Sequence, residues 1–112
     1  MSTYFHLSYT VNVENKRFND QAASLRSGIE QAFKDDSKNF SDIVKSDEVD
    51  TNITGTFSPS GSNSDERKKN AKKLIKSVFS GLMDELEIPS SAITVSCVVT
   101  AGTIDNSFEF TI

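Results

Sequence analysis

The sequence predicts an α+β domain: one four-stranded, largely antiparallel sheet, in chain order β-α-β-α-β-β, with two helices packed on one face. Three observations carry this. Near the start, Phe5, Leu7, Tyr9, Val11 and Val13 alternate with Tyr4, His6, Ser8, Thr10 and Asn12. That period of two marks a strand with one buried face. Two later stretches repeat apolar residues every three or four positions, as amphipathic helices do. The last twenty residues read as a hairpin of two alternating runs.

The elements follow in order. Phe18, Ala22, Leu25, Ile29 and Phe33 form the first helical stripe, with Gly28 inside it at a cost of about 1 kcal/mol relative to Ala. The acidic stretch DDSKNFSDIVKSDEVD has Phe40, Ile43 and Val44 as its apolar anchors and reads as a short helical piece or an ordered loop. TNITGTF, residues 51 to 57, reads as a strand with Ile53 and Phe57 inward. A glycine between them, Gly55, signals a bulge or a close backbone approach.

SPSGSNS has the punctuation of a flexible connection. Asn63 then offers an N-cap, and Glu66 three residues on completes a capping-box pattern. Ala71, Leu74, Ile75, Val78, Phe79, Leu82 and Leu86 extend one continuous stripe until Pro89 ends the helix. Ile93, Val95, Cys97, Val99 and Ala101 alternate as a strand, and Phe108, Phe110 and Ile112 alternate after a turn containing Gly102, Asp105 and Asn106. Two amphipathic helices need a surface to cover, and four half-buried strands need one face covered. Placing both helices on one face meets both needs.

The bulk properties narrow the function. A chain of 112 residues suits one domain, residues 1–112, able to bury about two-thirds of the surface its unfolded form exposes. The pI near 4.9 and net charge of -4 argue against a protein that mainly coats nucleic acid. Eight Phe and no Trp place the aromatic mass inside. No stretch approaches the apolar length of a membrane span, and the first residues lack a signal-peptide pattern, so a cytoplasmic protein without membrane contact is expected.

Catalytic chemistry finds little support. His6 and Cys97 are single, and the patterns put them on opposite faces, so no Cys/His nucleophile pair and no zinc spacing arises. Asp35-Asp36 and Asp47-Glu48-x-Asp50 do not fit a calcium loop and read as solvated carboxylates. No phosphate-loop, esterase or dinucleotide motif is present. The expectation is a non-enzyme without cofactor or metal.

Two surfaces remain as candidates. In SGSNSDERKKNAKKLIKSVF, six cations fall within ten residues: Arg67, Lys68, Lys69, Lys72, Lys73 and Lys76. Four of them, Lys69, Lys72, Lys73 and Lys76, gather opposite the apolar stripe. This reads first as a solvated helix face, then as a docking patch for an acidic partner, and then as a phosphate or nucleic-acid contact. Asp65 and Glu66 in the first turn oppose a bound phosphate. The charge is also polarised, because the chain after Lys76 carries acids and no cations.

The second surface is the far side of the sheet. Tyr4, His6, Thr94, Ser96 and their neighbours make a hydroxyl-rich face that reads as a solvated sheet or as a flat contact for another protein or a second copy of the chain. An edge strand could also take up a partner strand. The expected function is protein binding of inhibitor, immunity or accessory type. Nucleic-acid or phosphorylated-ligand binding through residues 67–76 is the alternative, and a homodimer through the open sheet face is a further option.

Overall fold

The alternation at the start becomes the middle of the sheet. A computed structural model describes residues 2–46 and 51–112. Strand β1 (Thr3–Val13) is followed by a short 3-10 turn and helix α1 (Asn19–Asp35), then β2 (Phe40–Lys45), β3 (Asn52–Phe57), helix α2 (Ser64–Glu85), β4 (Ile93–Ala101) and β5 (Phe108–Thr111). The strands lie in the order β2-β3-β1-β4-β5, and every neighbouring pair is antiparallel. Each helix therefore joins two strands that have one strand between them. These are two interlocked split βαβ units, with β5 added as a hairpin on β4.

The sheet has five strands rather than the expected four. Phe40, Ile43 and Val44 lie on β2, where a short helix or loop was expected. The reason is local: the register shifts between Ser41 and Val44, and Asp42 sits at φ 55. The bulge lets Phe40 and Ile43, three positions apart, both turn inward. That spacing imitates a helix in the sequence. The carboxylates Asp47, Glu48 and Asp50 lie outside the described residues.

Both helices cover the face bearing Phe5, Leu7 and Tyr9. Phe33 of α1 meets Phe5 with ring centroids 6.4 Å apart, and Phe79 of α2 meets Tyr9 at 5.5 Å. The helices join each other through Phe33 and Phe79, edge to face at 6.0 Å. Lys45, at the end of β2, reaches Arg26 O at 3.0 Å and ties the edge strand to α1.

The α2 start matches the capping pattern with one variation. Asn63 Oδ1 accepts the Glu66 N–H at 2.9 Å, while Glu66 Oε2 accepts the Ser62 N–H at 2.8 Å, one residue before the cap. The Ser62 backbone N–H first, and then the Ser62 hydroxyl, hold the Glu66 carboxyl below its usual pKa. Their contribution is present above the ordinary carboxylate pKa and fades as pH falls through the lowered one. Hydrogen bonds tie the connection before α2 to the helix: Asn70 donates to Ser60 O at 2.6 Å and Arg67 to Gly61 O at 3.3 Å.

The α2 end comes before Pro89. Ile88 N–H bonds Met83 O and Glu87 N–H bonds Asp84 O, the paired bonds of a Schellman stop. Its left-handed position falls on Glu87, at φ 57, where glycine has no side-chain penalty. Glu87→Gly is expected to stabilise the domain by about 1 kcal/mol and raise Tm by about 4 °C, checked by circular dichroism melts.

Candidate functional site

The pairing registers turn the open sheet face into a map. One row across the sheet runs Ser41, Thr56, Tyr4, and the next Val44, Thr54, His6, Thr100. Below these come Asn52, Ser8, Val98, Glu109, then Thr10, Ser96, Thr111, and finally Asn12 with Thr94. Tyr4, His6, Thr94 and Ser96 thus share one surface, on the side of the sheet away from the helices. Ser8 donates to Asn52 Oδ1, and Asn12 Nδ2 donates to Ser96 Oγ at 3.3 Å, so part of the face is braced.

The composition of this face differs from the rest of the protein. The chain carries 12 Lys and Arg and 16 Asp and Glu. Among the described residues Glu109 is the sole charged side chain standing in these rows. Asp42 and Glu14 reach in from the rim, accepting hydrogen bonds from Thr56 and Thr94. Among the described residues the exposed large hydrophobic side chains are Tyr4 at 78%, Val44 at 58% and Val98 at 40%, and all three are on this face. Loss of charge together with exposed apolar and aromatic groups is the compositional mark of an interface centre.

Sequence reasoning missed Val44 because the bulge hid the alternation of β2. Asp42 was missed for the same reason. A period-two reading that allowed one inserted residue would have found both.

The six cations lie on the opposite side of the molecule, with the helices, so one flat partner cannot engage both surfaces. The structure divides them. Arg67 is a latch between two loops: its Nε donates to Thr103 O at 2.8 Å, and its guanidinium also reaches Gly61 O. Lys72 and Lys76 lie along the flank above β5. The Lys72 ammonium is 5.9 Å from the Phe108 ring centroid and that of Lys76 is 5.8 Å from Phe110. Each covers an edge aromatic while keeping its charge in water. Lys69 and Lys73 are exposed, and Lys68 is half-buried beside Asp65 and Asp105.

Other chemistry is sparse among the described residues. No group of three or more His, Cys, Asp or Glu side chains gathers as a metal site. No helix is long and apolar enough to cross a membrane. Cys97 is buried on the helix side, and burial pushes its thiol up to about 12, against a smaller opposing effect of Lys76. Such a thiol is protonated, not a nucleophile, at neutral pH.

A groove of about 610 Å³ runs between α1 and α2, lined by Gly28, Ala32, Asp35, Asp36, Gly81 and Glu85 among others. Asp35 and Asp36 are thus on a solvent-facing groove wall.

Fold and surface together define a small split-βαβ domain with one uncovered, nearly uncharged sheet face. No family model, curated protein or solved structure matches the chain.

Proposed function

We propose that this is a small cytosolic, non-enzymatic protein-interaction domain, of inhibitor or accessory type, that docks a partner protein on its open sheet face. The observation that carries the reading is the near absence of charge on that face together with the concentration of Tyr4, Val44 and Val98 there. Five strands at ordinary spacing give a face of about 600 Å², close to one partner's share of a standard interface.

The partner is a different protein with a flat, neutral centre and basic groups around it. Glu14, Asp42 and Glu109 supply the acids it meets at the rim. A face-to-face second copy fits less well. Its two-fold axis sets the β5 edge over either β5 or β2 of the other copy, and both edges carry acid, at Glu109 and Asp42. Like charges facing across an interface suppress that pairing. The lone buried Cys97 suits a reducing compartment.

The test compares wild type with a Thr54→Arg/Val98→Arg variant and a Lys69→Glu/Lys73→Glu variant as bait. The captured protein is then purified, and its binding to each is measured by calorimetry. Both substituted pairs are exposed, so the fold should survive. One-to-one binding that the sheet-face variant reduces at least a hundredfold, and the lysine variant leaves intact, is expected. Loss with the lysine variant alone, or salt-sensitive duplex DNA or RNA binding by wild type that this variant abolishes, would overturn the reading in favour of the basic helix.

Lys72 and Lys76 are unsuited to this test. Reversing them would uncover Phe108 and Phe110.

A further inference from the structure

A sheet of five strands that does not close has two edges, and they differ. The β2 edge is interrupted by the register shift at Ser41 to Val44 and by the left-handed Asp42, features that prevent a regular partner strand. The β5 edge is regular over four consecutive pairs, Phe108 with Val99 through Thr111 with Ser96. Ile112 and Val95 exchange both backbone bonds, N to O at 2.8 and 3.3 Å. By the alternation of an antiparallel ladder, Phe110 and Phe108 also bond inward to β4. The N–H and C=O of Glu109 and Thr111 therefore point away from the sheet.

The two sides of this edge carry opposite signs. On the helix side, half-buried Phe110 lies beneath Lys76, and Phe108 beneath Lys72. Neither lysine forms an ion pair among the described residues. On the open side stand Glu109 and Thr111. We propose that β5 is a docking edge for an extended segment of a partner protein whose residues alternate, acids toward the lysines and small hydroxyl residues toward Glu109. Backbone bonds to Glu109 and Thr111 hold the segment, and the alternation sets which way it faces.

The same charges disfavour a second copy of this chain. A two-fold axis at Phe110 would bring Lys72 and Lys76 of one copy toward those of the other, and lysines along an edge are a known guard against self-pairing. An acidic strand turns that guard into attraction. This edge is separate from the open-face reading and stands or falls without it.

The probe is a fluorescein-labelled, end-capped heptapeptide alternating Thr and Glu, followed by anisotropy at low and moderate salt and by amide shifts of residues 107–112. Its controls are the Thr/Lys counterpart and an isomer with the three Glu contiguous. The alternating peptide should bind at least tenfold tighter than either control, weaken with salt, and shift the Glu109 and Thr111 amides. Glu109→Pro removes an outward N–H but no bond to β4, and should weaken binding at least tenfold. Glu109→Gln, which keeps that N–H, should bind as well as wild type or better, and Thr54→Arg should leave peptide binding unchanged.

The amide shifts on wild type keep the test decisive even if Glu109→Pro folds poorly. Absence of binding at low salt, equal binding of the contiguous isomer, or shifts confined to other residues would each overturn the proposal. Sedimentation showing a wild-type dimer that Glu109→Pro dissolves would also overturn it, because the edge would then belong to a second copy.

Discussion

Phe33→Ala should cost about 3–5 kcal/mol, the range for truncating a fully buried Phe. Phe33 is 0% exposed and stands where four elements meet. Its ring lies edge to face with Phe40 of β2 at 4.9 Å and with Phe79 of α2 at 6.0 Å, and tilts against Phe5 of β1 at 6.4 Å. Truncation removes the buried area and those ring contacts together. It also leaves a cavity bounded by other rings and by paired strands, which cannot collapse far into it. Domains of this size have about 5–15 kcal/mol in total, so a large fraction of the stability goes.

The chain contains no Trp, so far-UV circular dichroism is the appropriate probe for a urea titration. With a slope of about 2 kcal/mol/M, the midpoint should fall by about 2 M without a change in slope. A shift below about 0.5 M would mean that α1 is not held to the sheet through this ring.

Gly55→Ala should be the second most damaging change, at about 2–3 kcal/mol, although it adds a single methyl group. A Cβ at Gly55 would lie 2.6 Å from Ile43 Cδ1, 3.0 Å from the Ser41 carbonyl oxygen and 3.1 Å from Phe5 Cε1. The first contact is with the end of a side chain and the second with backbone of the bulged edge strand. They can be separated. Ile43→Val deletes Cδ1 and by itself costs about 0.5–1.5 kcal/mol.

In the Gly55→Ala background the same change should cost less, or recover stability, giving a coupling energy of about 1 kcal/mol in a double-mutant cycle. The remaining loss comes from the Ser41 carbonyl, a backbone group that no side-chain rotation can move aside, and from the Phe5 ring. Simple additivity of the two changes would show that Ile43 yields to the new methyl without strain.

Much of the fold was legible because local patterns agreed with tertiary burial. The odd residues of β1 from Phe5 to Val11 are buried, as their period of two required, and so are Ala22, Leu25, Ile29 and Phe33 of α1. The close approach signalled by Gly55 is present. The error at residues 40–45 has an equally local origin. A bulge adds one residue to a period of two, and over six residues the resulting three-residue spacing cannot be told from one helical turn. Pro89 marked the stop of α2 to within a few residues because Pro is a visible breaker, whereas the glutamate that takes the left-handed position, Glu87, gives no sequence signal.

The candidate surfaces were legible to different depths. Period two was enough to put Tyr4, His6, Thr94 and Ser96 on one face, since strand side chains alternate regardless of neighbours. Strand order could not be read, and it is the order β2-β3-β1-β4-β5 that brings Val44, Tyr4 and Val98 together and leaves β5 as an edge. The charge stripe of α2 was visible by helical spacing. That Lys72 and Lys76 cover Phe108 and Phe110, and that Arg67 joins two loops, depends on contacts between residues more than thirty positions apart.

The sequence by itself determined which faces are apolar, how long the helices run, and where charge is concentrated, because these follow from side-chain chemistry and local backbone period. Only the tertiary structure decided which strands are neighbours, which lysines are engaged and which edge is open. Those outcomes depend on the joint packing of distant segments, which no local pattern encodes.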